Sequence, residues 1–295
     1  MIWPLMRRAR RKLGYWPNPV FPRSFNDKIL WRMLFDRRDV YRRISGKFEA
    51  REFVRARLPD DDILVPLVGM IRAPSDVHSL RFPESFMLKI NDGSQQRRVY
   101  RRGEVVDLAE MEALARDWLG HDFAKYAREW SYLHIEHAII VEAFLGADDG
   151  TYPDGLKFIC FDGRVQIIFA ISYAVVPPYV ETYDRDWTLI DVEVPDSPCR
   201  GAAPPPPVLP EAIRMAEALA CGFDQMRVDF LLVDGKVRFN ELTPYCCAGL
   251  NTWPRAFDIG LGEAWVLPKG VGPVSALLGG QPDVRLSQPS PSLRG

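Results

Sequence analysis

The stretch MRVDFLLVDGKVRFNELTPY, residues 226–245, constrains the fold more than any other part of the chain. Two β-rich runs flank Asp234-Gly235, and Asp-Gly between alternating apolar residues is the strongest short-range signal for a tight hairpin. A two-residue turn sets Asp229 opposite Asn240 and gathers Val228, Phe230, Leu232, Val237 and Phe239 on one apolar face. The same register turns Glu241 toward that face, because a shift of one residue moves a side chain across the sheet. For Asp229 and Glu241 to meet, the hairpin needs a three-residue loop or a bulge near Asn240. Bulges of this kind re-aim side chains beside active sites, and we expect one here. The two carboxylates would then stand roughly 4.5–5.5 Å apart at Cβ, close enough to share hard divalent cations, with Arg227 on the same face. An ordinary hairpin with solvated charges fits the spacing equally well.

The rest of the chain supplies helices first and strands later. Ser24 is the expected N-cap of a helix over FNDKILWRMLFD, and Ser45 of one over GKFEAREFVRARL. Asp107 and Glu110 open a third helix that Gly120 ends. Residues 63–71 (ILVPLVGMI), SFMLKIN and 138–146 (AIIVEAFLG) read as buried strands, and LKFICFDGRVQIIFAIS as a second hairpin. Lys89 closes the apolar run of SFMLKIN and needs a partner, since burying an unpaired ammonium costs on the order of several kcal/mol. Phosphate is the expected partner, with a nearby carboxylate as the alternative. The turn after it, Asn91 to Ser94, leads into Arg97, Arg98, Arg101 and Arg102, which either bind an anion or act as solvated edge charges. Asp184-Arg185-Asp186 reads as a polar turn, the proline run at 204–207 as a surface excursion, and residues 279–295 as a disordered tail.

Composition narrows the function classes. A formal net charge of -1 gives no reason to expect nucleic acid. Five cysteines with no Cys-x-x-Cys pair argue against a disulfide framework and for a reducing, cytoplasmic setting. No apolar run approaches the roughly 18 residues of a membrane span. The basic stretch MIWPLMRRARRKLGYW, which lacks the apolar core of a signal peptide, reads either as a solvated helix face or as a segment resting on an anionic membrane surface.

Arg-x-Asp on one strand and Glu-x-Thr on the next, here Arg227, Asp229, Glu241 and Thr243, resemble the metal-binding hairpin of the ATP-grasp superfamily. With FPRSFNDKILWR, GKFEAREFV, FMLKINDGS, REWSYLHIEHAIIVEAFL, LKFICFDG and RVDF in order before ELTPY, the chain resembles the TupA-like ATP-grasp family from residue 21 to about 262. That resemblance implies an α/β (α+β) fold in which two lobes grip ATP. It implies a helical N-terminal region (1–80), lobe A (81–145), lobe B with the metal hairpin (146–278) and the tail (279–295). It also implies Mg²⁺ on Asp229, Glu241 and Thr243, and ATP bound by Lys47, Lys89, Ser94, Glu142 and Lys157. Glu142 would sit at the adenine edge, and Arg227 and Lys89 would stabilise the transferred phosphoryl group. The family carries aspartate where this chain has Gly46, a more glycine-rich loop after Gly93, and an acid one residue later than Asp154.

The implied activity is an ATP- and Mg²⁺-dependent carboxylate–amine ligase that proceeds through an acyl phosphate and acts in cell-surface polysaccharide synthesis. Its partners would be a small-molecule or saccharide carboxylate and an amine, with a peripheral contact to membrane-bound polysaccharide machinery. The alternatives are another phosphoryl-transfer enzyme on the same scaffold, or a degenerate nucleotide-binding accessory protein.

Overall fold

Two antiparallel sheets, one of four strands and one of five, carry the chain. The computed structural model describes residues 2–59, 61–93, 96–121, 130–133 and 135–273, so the tail and Ser94 lie outside the described residues. Helices come first: α1 (Ile2–Leu13), α2 (Phe25–Phe35), α3 (Val40–Ser45) and α4 (Lys47–Arg57). Ser24 caps α2 as expected, accepting from the Asp27 N–H while the Asp27 carboxylate accepts from the Ser24 N–H. Ser45 does not cap α4. It is the last residue of α3, a helix too short to leave a periodic signal, and Gly46 in extended backbone takes the cap position.

The smaller sheet runs β1 (Leu67–Ile71), β4 (Ile139–Ala143), β2 (Phe86–Ile90), β3 (Arg97–Tyr100). Only the second half of ILVPLVGMI enters it. Pro66 has no N–H to give a ladder, and Leu64 instead makes an isolated bridge to Phe239. The pairing of β1 with β4 groups residues 67–71 with the strands of 81–145 rather than with the helices before them. One face of this sheet is packed by α5 (Leu108–Leu119), whose Met111, Ala115 and Trp118 meet Phe86, Leu88, Ile90 and Val141.

The larger sheet runs β7 (Tyr179–Asp184), β6 (Arg164–Ser172), β5 (Gly155–Phe161), β8 (Gln225–Val233), β9 (Lys236–Thr243). Two of its hairpins, β5–β6 and β8–β9, turn on Asp-Gly, with φ of 48° and 74° at Asp162-Gly163 and 49° and 71° at Asp234-Gly235. Positive φ at both central residues is the tight turn whose twist matches paired strands. Strand alternation then divides the core. Phe158, Cys160, Val228, Phe230, Val237 and Phe239 face α6 (Leu209–Ala220) and α4. Ile159, Phe161 and Phe169 face the opposite way, toward Phe25, Ile29 and Leu30 of α2, Leu5 and Ala9 of α1, and α7 (Arg255–Ala264). A sheet covered on both faces needs apolar residues at successive positions, which is why FICF reads as a continuous run. Among the described residues no helix is long and apolar enough to cross a membrane.

Helix α7 approaches α2 so closely that glycine is required at the contact. A Cβ built on Gly262 would fall 2.0 Å from the Arg23 carbonyl oxygen and 2.6 Å from Ser24 Cα. Gly262→Ala is therefore expected to destabilise the protein by about 1–3 kcal/mol through overpacking, read as a lowered midpoint in urea unfolding. Gly260→Ala on the same helix, where a Cβ meets nothing within 4 Å, should leave the midpoint unchanged or raised.

Candidate active site

The hairpin register decides what the site contains. From the turn, Leu232 pairs with Val237 and Phe230 with Phe239, then the register shifts so that Asp229 pairs with Glu241 and Arg227 with Thr243. Asn240 is the extra residue, and this is the bulge that the alternation of β9 demands. It returns Glu241 and Thr243 to the face that carries Arg227 and Asp229, while Leu242 rejoins the core.

Arg227 ties this face together. Its Nε and Nη2 donate to Asp229 Oδ1 and Oδ2 at 2.7 and 2.8 Å, and Nη2 also reaches Glu241 Oε1 at 2.5 Å and Thr243 Oγ1 at 3.1 Å. Lys157, directly opposite Asp229 on β5, brings its Nζ to 3.6 Å from Asp229 Oδ2. The two acids are driven apart in acidity. Burial pushes the Asp229 carboxyl up despite Arg227 and Lys157. Glu241 is only half-buried, and there Arg227, then Lys157, outweigh desolvation and hold the carboxyl down at about 2. Like-charged neighbours that split in this way are a recurrent mark of functional carboxylate pairs.

A cleft of about 320 Å³ opens between the sheets, lined by Lys47, Lys89, Arg97, Tyr152, Lys157 and Glu241 among others. This lies within the range of small-molecule sites, roughly 300–1,000 Å³. Three lysines from three elements thus converge beside the carboxylate pair. Lys47, the first residue of α4, donates from Nζ to the carbonyl oxygens of Ile90 and Gly93 at 2.7 and 2.5 Å. Desolvation pulls its ammonium down to about 8, against the raising influence of Glu241. Asn91 fixes the same turn, accepting from the Phe48 N–H and donating to Glu49 Oε2 and the Glu136 carbonyl. The Glu49 carboxylate fills the space a side chain at position 46 would take, since a Cβ on Gly46 would lie 2.0 Å from Glu49 Oε2.

Within the protein Lys89 has a carboxylate partner. Met87 pairs with Glu142 and Lys89 with Ile140 across β2 and β4, which makes Lys89 and Glu142 diagonal neighbours on one face. Lys89 Nζ lies 3.0 Å from Glu142 Oε2, and Arg51 Nη1 holds Glu142 Oε1 at 2.8 Å. Glu142 is buried and is not among the residues that line the cleft. Arg51 was not singled out in the sequence. Its signal was its spacing, one turn after Lys47 on α4, which puts both on one helix face. Arg97 lines the cleft with its guanidinium 4.7 Å from the Tyr152 ring, while Arg98 pairs with Glu104 and Arg102 with Glu84 on the surface.

The donor set at the hairpin fits magnesium. Asp229, Glu241 and Thr243 offer only oxygen, and one or two carboxylates completed by substrate phosphates is how proteins usually hold that ion. Among the described residues no group of three or more His, Cys, Asp or Glu side chains forms a metal cage of its own.

Comparison with known proteins agrees with this arrangement at the level of family. The family model described as TupA-like ATPgrasp matches residues 27–266. No curated protein matches the sequence. Among solved structures, the chain is similar to D-alanine–D-alanine ligase from Helicobacter pylori, at 14% identity and a TM-score of 0.42 over 77% of this chain and 59% of that one. It is similar to the Bacillus anthracis enzyme complexed with ATP, at 15% identity and a TM-score of 0.41 over 75% and 65%. The ADP complex of purK, N5-carboxyaminoimidazole ribonucleotide synthetase, matches at 14% identity and a TM-score of 0.39 over 68% and 45%. The chain spans less than two thirds of the length of each of these proteins.

The buried Arg51–Glu142–Lys89 triad sets a stability test. Glu142→Ala strands two cations in a desolvated position, and losing one partner of a buried ion pair costs on the order of 3–5 kcal/mol. Urea unfolding should report a loss of that size. Lys89→Met, which leaves Glu142 paired with Arg51, should cost less.

Proposed function

This chain belongs to the TupA-like ATP-grasp family, and from that premise we propose that it is an ATP-dependent carboxylate–amine ligase. The observation that carries the proposal is the facing of Asp229 and Glu241 across the bulge, beside a cleft lined by Lys47, Lys89 and Lys157. Such a cleft suits the triphosphate of a nucleotide, whose charge the lysines and Arg227 would neutralise. Asp229 and Glu241, with Thr243, would hold Mg²⁺, which supplies charge neutralisation at the phosphates.

In the reading we favour, an oxygen of the acceptor carboxylate attacks the γ-phosphorus of ATP, and the bond to the bridging oxygen breaks to release ADP. The resulting acyl phosphate is attacked at carbon by an amine, which loses a proton as inorganic phosphate leaves and the amide forms. Lys89, braced by Glu142 and Arg51, stands where it can meet phosphate oxygens without swinging free. Lys47 holds the turn after β2 through two carbonyl groups, so the loop that would cover the phosphates is anchored at its start. Family association supports a uronic acid of a cell-surface polysaccharide as the acceptor. A binding-only accessory role is favoured by one feature, the engagement by Arg227 of both Asp229 oxygens and of one Glu241 oxygen, and turnover decides between them.

The test is a coupled ADP-release assay with candidate uronic acids and amines, with mass spectrometry of the product. ADP release that requires both acceptors, with an amide product, is expected. ADP release without an amide would point to another phosphoryl transfer, and binding without turnover to the accessory role. The acidity of Lys47 adds a signed expectation. Above about pH 8 its amine is neutral in the free protein, and phosphate would favour the ammonium. ATP binding near pH 9 should therefore take up a proton, seen as a buffer-dependent calorimetric enthalpy that vanishes in Lys47→Met, and affinity should fall as pH rises through about 8.

A further inference from the structure

We propose that α1 and the loop after it form a docking surface for an anionic lipid bilayer. The helix is fixed to the body by Leu5 and Ala9, which are 6% and 0% exposed and pack with Phe25, Ile29 and Leu30. With that face committed, the other side is displayed outward. Arg7, Arg10 and Arg11 lie on that side while Arg8 and Lys12 flank the packed face; all five are exposed, and the helix contains no acidic residue.

Among the described residues none of these five cations has a carboxylate partner. Arg10 donates only to the carbonyl of Gly14, at 2.6 Å. Several exposed arginines elsewhere do have carboxylate partners: Arg72 with Glu136, Arg98 with Glu104, Arg102 with Glu84, Arg116 with Glu112. Arg8, Arg11 and Lys12 instead line a cavity of about 260 Å³ with Leu250, a space with cationic walls and an apolar floor.

Charge alone would suit any polyanion, and the aromatic residues select among them. Trp3 of α1 is 70% exposed and meets Trp16 edge-on at 6.3 Å, itself 56% exposed. The loop continues to Val20 at 50% and Phe21 at 77% exposure, where the Asn18 side chain accepts from the backbone N–H groups of both and holds them in a turn. Four large apolar side chains held outward beside unpaired cations is the composition of an interfacial anchor. Tryptophan partitions to the headgroup level, and arginine and lysine to the anionic phosphates. Duplex nucleic acid would leave this apolar patch wet.

The full chain should cosediment with vesicles of phosphatidylcholine and phosphatidylglycerol and not with phosphatidylcholine alone, and salt should weaken the association. Arg7→Glu with Arg11→Glu should lower partitioning by about tenfold or more. Trp3→Ser with Phe21→Ser should lower it too, while leaving the salt dependence in place. Unfolding midpoints near that of the parent chain show that both variants fold. Equal binding to neutral vesicles, undiminished binding by either folded variant, or retention on duplex DNA with none on anionic vesicles would each overturn the proposal.

Discussion

The extra residue in β9 is the constraint on which the site depends. A regular ladder would send Glu241 into the apolar face beside Phe239, where an ionised carboxylate has no partner. One unpaired position at Asn240 returns it to the side of Asp229 and Arg227. The bulge therefore serves stability and function together: it keeps the core apolar and assembles two acids, a hydroxyl and a guanidinium on one patch. Arg227 is what makes that patch tolerable without a ligand, because two adjoining carboxylates repel and the guanidinium bridges them.

Helix α4 carries the second half of the arrangement. Its Ala50 and Val54 are buried with the core of the larger sheet, while Lys47 and Arg51 reach across to the smaller one, to Ile90, Gly93 and Glu142. One helix thus fixes the lysine-bearing strand relative to the acid-bearing hairpin. A parallel device steadies the back of the hairpin. Arg32 of α2, fully buried, donates to the carbonyls of Gln225 and Pro244 and pairs with Asp224, which ties the start of β8 to the end of β9.

Much of this was legible in the sequence wherever the signal is local. Asp234-Gly235 and period-two alternation gave the turn, the apolar face and the need for a bulge, since all three follow from counting residues along two adjoining strands. The Ser24 and Asp107 caps were legible for the same reason. What could not be read was contact between distant segments. The Lys89–Glu142 pair depends on the register of strands more than fifty residues apart. Ser45 shows the limit of local reading: Ser-Gly-Lys before an amphipathic run looks like a cap, but α3 had already claimed the serine. Arg32 and Arg51 stood out little because an arginine on a helix is ordinarily a surface residue, and packing reveals that these two are buried.

The central claim is that Asp229 and Glu241 act as one cation site. Magnesium affinity measured by calorimetry in the presence of ATP, for the parent chain, Asp229→Asn, Glu241→Gln and the double variant, tests it most directly. If the two share an ion, each single change weakens binding by about tenfold or more and the double change adds little, because partners in one site are not additive. A single variant that binds magnesium as tightly as the parent chain, or losses that sum in full, would contradict the account.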